Sequence, residues 1–257
     1  RIVAVTLTGS DRAGSTVAEQ AGRELKKTVL ELGGSDPFIV LADADVVAAA
    51  RAAADARLIN SGQSCIAAKR FIVVESLAEP FLTRFVEEIR SRRVGDPLDR
   101  ETQVGPQARV DLRDALHRQV EESVKRGARL VLGGELPSGK GAFYPPTVLA
   151  AVDKGMPAFD QETFGPVAAV IRAKDEVDAI RLANDSAFGL GASLWTQDHA
   201  RAERLAAQIE AGNVFVNGGV KSDARLPFGG IKRSGYGREL SEYGIREFVN
   251  IKSVWIA

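Results

Sequence analysis

The chain has 257 residues, 45 % of them hydrophobic, which is enough for one large domain or two smaller ones with a substantial core. Its 34 basic and 34 acidic residues cancel, so there is no electrostatic case for nucleic acid or an anionic membrane surface as partner. One cysteine excludes an internal disulfide framework and points to a reducing compartment, the cytoplasm; no apolar run approaches the roughly 20 residues of a membrane span, and no signal-peptide pattern stands at the start.

Residue 1 is arginine, the sole methionine is Met156, and the chain runs at once into a strand-like stretch, Ile2 to Leu7. A polypeptide that opens inside an element is expected to be part of a longer one. Short β-branched runs then alternate with amphipathic stretches of helical length. In chain order, strands are predicted over 2–8, 28–32, 37–41, 70–75, 128–132, 166–172, 191–195, 213–217 and 248–256. Helices are predicted over 14–26, 44–59, 77–91, 107–126, 174–186, 198–211 and 236–243. Such alternation predicts an α/β fold with a mostly parallel sheet flanked by helices, because crossover helices join parallel strands. Ser76 and Asp198 are placed to cap helices, and Pro137 to Gly141 reads as a turn. His117 and His199 stand far apart in charged stretches without metal-ligand spacing, so both are expected on the solvated surface and no metal site is expected.

Four clusters bear on chemistry. Thr8-Gly9-Ser10 follows the first strand and precedes a helical pattern, which makes an anion cradle of backbone N–H groups and a helix dipole. Glu31, in Leu30-Glu31-Leu32-Gly33-Gly34, is a carboxylate inside an apolar strand; burial there would raise its pKa and make it a base near neutral pH, whereas an edge strand would leave it facing water. Cys65 lies in Gly62-Gln63-Ser64-Cys65, a tight loop between a helix and the strand Phe71 to Val74. A thiol held there is reachable, although free cysteine is also among the most buried residue types. Glu162 and Phe164 precede Gly165-Pro166, where a carboxylate suits ribose hydroxyls and a ring supports a flat heterocycle.

Together these residues change the reading. Glu31-Leu-Gly-Gly, Gly62-Gln-Ser-Cys65, Glu162-Thr-Phe-Gly-Pro166 and Pro227-Phe-Gly-Gly230, with Lys232, Ser234, Gly235 and Gly237-Arg-Glu239, resemble the aldehyde dehydrogenase superfamily in order and spacing over essentially the whole chain. The stretches 62–70 and 226–240 are most similar to its bacterial succinate-semialdehyde dehydrogenase group. The resemblance implies an aldehyde-dehydrogenase-like catalytic domain, with residues 1–33 a remnant of the cofactor-binding domain, 34–235 the catalytic domain, and 236–257 a C-terminal helix and oligomerisation strand. It implies Cys65 as nucleophile and Glu31 as the base that activates water. Gly9, Ser10, Leu32, Glu162 and Phe164 would hold NAD or NADP, and Ser64 and Ser222 would contact the substrate. The substrate would be a small-molecule aldehyde, succinic semialdehyde, oxidised through a thiohemiacetal and a thioester; assembly would be as a homodimer or homotetramer. Ala67 stands where some relatives carry a second cysteine, which excludes a disulfide switch in this loop.

A free thiol is only about 3 % thiolate at pH 7, so the site must lower the Cys65 pKa or supply a base. The matching segments are the C-terminal half of the family pattern. The resemblance therefore places outside these 257 residues the asparagine of the oxyanion hole, most of the adenosine pocket and an arginine for the substrate carboxylate, so the chain alone is expected to be weakly active or inactive. Two alternatives stay open: a coenzyme A-acylating aldehyde dehydrogenase, and a non-enzymatic oligomerisation module acting through its β-prone tail.

Overall fold

Val, Ile and Phe dominate the runs at 38–40 and 71–74, and a strand apolar at every position is stable only where both of its faces are covered. The computed structural model, which describes residues 2–257, shows how that condition is met. In chain order the elements are β1 (Ala4–Thr8), α1 (Asp11–Arg23), β2 (Lys27–Glu31), β3 (Pro37–Val40), α2 (Val46–Leu58), β4 (Arg70–Val74), α3 (Ala78–Arg90), α4 (Val110–Lys125), β5 (Arg129–Leu132) and β6 (Thr147–Ala150). They continue with α5 (Pro157–Asp160), β7 (Val167–Ala173), α6 (Glu176–Asn184), β8 (Phe188–Gly189), β9 (Gly191–Trp195), α7 (His199–Ala206), β10 (Asn213–Val216), β11 (Ile231–Lys232), β12 (Gly235–Tyr236) and α8 (Ser241–Glu247).

Seven strands form the main sheet in the order β10-β9-β3-β4-β7-β6-β5, parallel throughout except for β5 against β6. Alternate residues of each strand point to opposite faces, and the core divides accordingly. Phe38, Val40, Phe71 and Val73 pack with α2 and α3, whose contribution includes Ala49, Ala53, Phe81 and Phe85. Ile39, Ile72 and Val74 pack on the other side with Leu116 and Val120 of α4, Phe159 of α5, Ile180 of α6 and Leu205 of α7. The fold is α/β with a mostly parallel sheet, as predicted.

A second, three-stranded sheet has the order β1-β2-β12, in which Gly235 and Tyr236 pair antiparallel with Glu31 and Leu30. This long-range pairing explains one difference from the sequence reading. Residues 236–243 were expected as helix, but Tyr236 is taken by the sheet and α8 begins only at Ser241. The tail 248–256 was expected as a strand and forms none, although it is rich in β-branched and aromatic residues. A terminal segment without a neighbouring strand has nothing to accept its backbone hydrogen bonds, and Ile251, Val254, Trp255 and Ile256 lie largely exposed.

Smaller differences have local causes. Asp198 caps α7 through the Arg201 N–H, as expected, but α3 starts after a 3₁₀ turn with no side-chain cap, so Ser76 plays no such part. β6, which the sequence reading lacks, is only four residues long and follows two prolines, yet all four of its residues are buried. His117 is half-buried, with Nδ1 3.2 Å from the Tyr144 hydroxyl, rather than solvated. Among the described residues, no helix is long and apolar enough to cross a membrane.

Candidate active site

α2 ends at Leu58, and the chain must reverse before β4. It does so through three successive residues at positive φ: Asn60 (48°), Ser61 (55°) and Gly62 (75°). Only glycine takes this conformation without penalty, so two L-residues here represent local strain that neighbours must hold. The segment 105–108 supplies them. The Gly105 N–H donates to Ser61 Oγ (2.8 Å), the Ala108 N–H to Gln63 Oε1 (2.7 Å), and Gln63 Nε2 to the Pro106 carbonyl (3.2 Å). Gly62 itself is fixed by contact as well as by φ, since a Cβ there would meet the Gly165 carbonyl at 2.3 Å. Cys65 leaves this turn half-buried, as a free thiol.

Beneath the loop lie three buried cations that the sequence reading did not single out. Arg57 donates to the carbonyls of Gly62 (2.9 Å) and Val167 (3.1 Å). Lys69 Nζ donates to those of Ser64 (3.2 Å), Cys65 (3.0 Å) and Ala67 (3.0 Å). Arg70 reaches the carbonyls of Ser35, Leu182 and Ala183. An unpaired buried charge would be prohibitive; here the carbonyl dipoles, buried Asp36 and Glu162 answer them. A signal was present in the sequence: Lys69-Arg70 runs straight into an apolar strand, where a charge has no solvated face. Burial pushes Asp36 up to about 7 against the pull of Lys69, the Gly191 N–H and Arg70.

The loop opens onto a cavity of about 580 Å³ lined by Thr8, Gly9, Ser10, Leu32, Gly33, Gln63, Ser64, Cys65, Glu162 and Phe164. At one edge is the start of α1, capped by Ser10, whose Oγ accepts from the Ala13 N–H (3.2 Å). Opposite it, Glu162 Oε1 accepts from the Gly34 N–H (3.0 Å) and lies 3.6 Å from Lys69 Nζ. Gly33 makes this placement possible, because a Cβ there would sit 2.3 Å from Glu162 Oε2. Phe164 stands partly exposed beside the carboxylate. A second recess of about 690 Å³, between α4 and residues 157–164, adjoins the first at Glu162 and Phe164. Donors for an anion, an acceptor for hydroxyls and a ring for stacking suit an elongated ligand carrying all three groups.

Burial dominates the electrostatics of both Cys65 and Glu31, and for Glu31 it is the buried alternative that the structure shows. The site does not lower the Cys65 pKa. Burial pushes the thiol up, Lys69 pulls it down, Asp36 raises it, the Ile66 N–H lowers it, and Glu162 raises it. Glu31 is buried on β2, and neither carboxyl oxygen finds a hydrogen-bond partner among the described residues. Burial, reinforced by Glu239 and opposed by Arg238, pushes it up to about 8. Both groups are therefore mainly protonated at pH 7.

Residues 1–254 match the model of the aldehyde dehydrogenase family. The chain belongs to that family. This aldehyde dehydrogenase chain is 57 % identical over 255 residues to the succinate semialdehyde dehydrogenase [NAD(P)+] Sad of Escherichia coli K12, covering 99 % of the chain and 55 % of the relative. It is 51 % identical over 257 residues to succinate-semialdehyde dehydrogenase [NADP(+)] 1 of Mycobacterium tuberculosis H37Rv, covering 100 % and 56 %. A solved structure of succinic semialdehyde dehydrogenase from Streptococcus pyogenes in complex with NADP+ superposes with a TM-score of 0.97 at 43 % identity, covering 100 % of this chain and 56 % of that one. The chain thus spans about half the length of the curated relatives it matches.

In this aldehyde dehydrogenase chain the cavity gathers seven of the nine residues singled out from sequence: Cys65, Ser64, Gly9, Ser10, Leu32, Glu162 and Phe164. Glu31 is not among them. It precedes the cavity residue Leu32, and its carboxyl is turned toward Gly229, where an added Cβ would come within 2.7 Å of Oε1. Ser222 is exposed and does not line the cavity either. A separate recess of about 310 Å³ is lined by Asp55, Ala56, Ile59, Ile66 and Val220, so it includes the residue that follows Cys65 in sequence but neither Cys65 nor Ser222.

Proposed function

We propose that this chain carries the catalytic residues of an NAD(P)-dependent aldehyde dehydrogenase that oxidises succinic semialdehyde to the acid. The observation that carries the reading is the meeting of Cys65, Glu162, Phe164 and the start of α1 on one cavity, in a chain 51–57 % identical to proteins bearing that name. The cavity fits a nicotinamide nucleotide: Gly33 leaves room for the Glu162 carboxylate, which would accept from ribose hydroxyls, and the α1 N-terminus favours a phosphate. Nicotinamide bound there supplies the acceptor for the electron pair and hydrogen that leave the aldehyde carbon.

The chain's own residues do the rest. Cys65 Sγ, once deprotonated, bonds to the aldehyde carbon and puts a negative charge on the oxygen. The Cys65 backbone N–H has no acceptor among the described residues and is free to donate to that oxygen. Loss of hydrogen with its bonding pair from the carbon leaves a thioester on Sγ. Glu31, after turning from its berth beside Gly229, takes a proton from water as the water attacks the thioester; the acid departs and the thiol is restored. In this reading the aldehyde approaches from the recess at Ile66 and Val220.

One oxyanion donor contributes about 10² to 10³ in rate, and the Cys65 N–H is the one donor this reading assigns to that oxygen. We therefore expect the 257-residue chain, given NAD+ or NADP+ and succinic semialdehyde, to form reduced nicotinamide far more slowly than a full-length relative, followed by absorbance. Turnover equal to the relative's would overturn that part of the reading. The exposed apolar tail, Phe248 to Ile256, supports assembly as a homodimer or homotetramer, with the tail pairing against a second copy. Light scattering is expected to give at least a dimer mass; a monomer at micromolar concentration would remove the proposal.

A further inference from the structure

We propose that Lys69 is a positioning residue that sets the plane of the Ser64–Cys65 peptide and ties the nucleophile loop to Glu162. This rests on the reading of Cys65 as nucleophile. Lys69 is wholly buried at the end of the loop. Its ammonium carries three hydrogens, and three carbonyls of the loop receive them: Ser64, Cys65 and Ala67. Glu162 Oε1, 3.6 Å away, answers the charge, and the main chain of Lys69 is itself held by its N–H to the Asp36 carbonyl (3.0 Å).

The consequence for chemistry follows from peptide geometry. In a trans peptide the C=O and the next N–H point in opposite directions. The Ser64 carbonyl accepts from Nζ (3.2 Å) and from the Ala67 N–H (3.2 Å), so the Cys65 N–H of the same plane points away from both. This is the N–H that meets no acceptor among the described residues. Lys69 thus presents an oxyanion donor without touching the substrate. The same ammonium contacts the carboxylate proposed to take ribose hydroxyls, so the spacing between the nucleophile and the cofactor's ribose is set by one buried charge. Methionine could fill the space of Lys69 but would leave the Cys65 and Ala67 carbonyls without donors, the Ser64 carbonyl with only the Ala67 N–H, and Glu162 without its cation.

The test reads Cys65 directly, because it is the only thiol. Alkylation of the folded 257-residue chain by iodoacetamide is followed by mass spectrometry from pH 6 to 10.5 in the parent, Lys69→Met and Glu162→Gln. The charged groups influencing the thiol are Lys69, Asp36 and Glu162, with Arg57 beyond them acting on Lys69. For Lys69→Met with an unchanged circular-dichroism spectrum, the midpoint is expected to move up by about one pH unit and the rate at pH 8 to fall about tenfold, one unit being a factor of ten. A profile coinciding with the parent's would overturn the proposal. Should Lys69→Met fail to fold, Glu162→Gln decides: the midpoint is expected to move down, and an unmoved midpoint is the overturning result. A parent chain whose Cys65 resists alkylation even at pH 10.5 would instead sink the nucleophile reading.

Discussion

Cys65→Ser is expected to abolish covalent chemistry on this chain while leaving its fold intact. Incubated with succinic semialdehyde and NAD+ or NADP+, the parent should acquire an acyl adduct detectable by intact mass, and the variant none. Turnover in the variant should fall by about 10⁴-fold or more, the scale seen when a catalytic nucleophile is removed. Exchange of sulfur for oxygen at a half-buried loop position disturbs little packing, so thermal unfolding should shift by less than about 0.5 kcal/mol. The effect is large because no other thiol exists in the sequence. Since burial holds the thiol above its ordinary pKa, adduct formation in the parent should rise steeply with pH through the alkaline range. An adduct or turnover persisting in Cys65→Ser would refute the assignment.

Glu31→Gln is expected to separate the two half-reactions. Acylation of Cys65 proceeds, hydrolysis stalls by about 10² to 10⁴-fold, and the acyl-enzyme accumulates. In the parent, hydrolysis should increase about tenfold per pH unit below about 8 and level off above it, as the Glu31 carboxyl loses its proton; in the variant that rise disappears. A coenzyme A-acylating enzyme would behave otherwise: release would require the thiol acceptor, and Glu31→Gln would leave it unchanged.

The same substitution has a consequence for stability, with a definite sign. Glu31 holds its proton in the folded state up to about 8, whereas the unfolded chain releases it near the ordinary carboxylate value of 4.5. Between these two values the unfolded state binds fewer protons, so the parent loses stability as pH rises, then levels off above about 8; below about 4.5 the difference vanishes. Gln carries no such titration. We expect Glu31→Gln to be more stable than the parent at pH 8, relative to their difference at pH 4, by on the order of 2 kcal/mol. That is less than the full shift would give, because water and side-chain rotation relieve an ionised group. Paired denaturant titrations at pH 4 and 8 measure it, and parallel behaviour of the two proteins would show that Glu31 is not held neutral.

The sequence by itself determined the layered α/β architecture and the positions of its central strands, because a parallel strand buried on both faces is built from apolar residues, and the runs 38–41 and 71–74 are apolar throughout. It also determined the short set of residues from which a site could be built, since Cys65, Glu162 and Phe164 sit where glycines and a proline restrict the backbone. Tertiary structure alone decided what surrounds them. The left-handed turn at Asn60 and Ser61 is held by hydrogen bonds from residues about 45 positions away; Asn60 and Gly62 favour such a turn locally, but nothing local favours it at Ser61. Tyr236 joined a sheet because β2 offered it an edge, and the tail at 248–256 formed no strand because no neighbour offered one. The burial of Glu31 away from the cavity, and the grip of Lys69 on the nucleophile loop, depend on which distant backbone each side chain meets. Charge and hydrogen bonding in a protein interior are settled by partners brought together in folding, whereas hydrophobic periodicity is written along the chain itself.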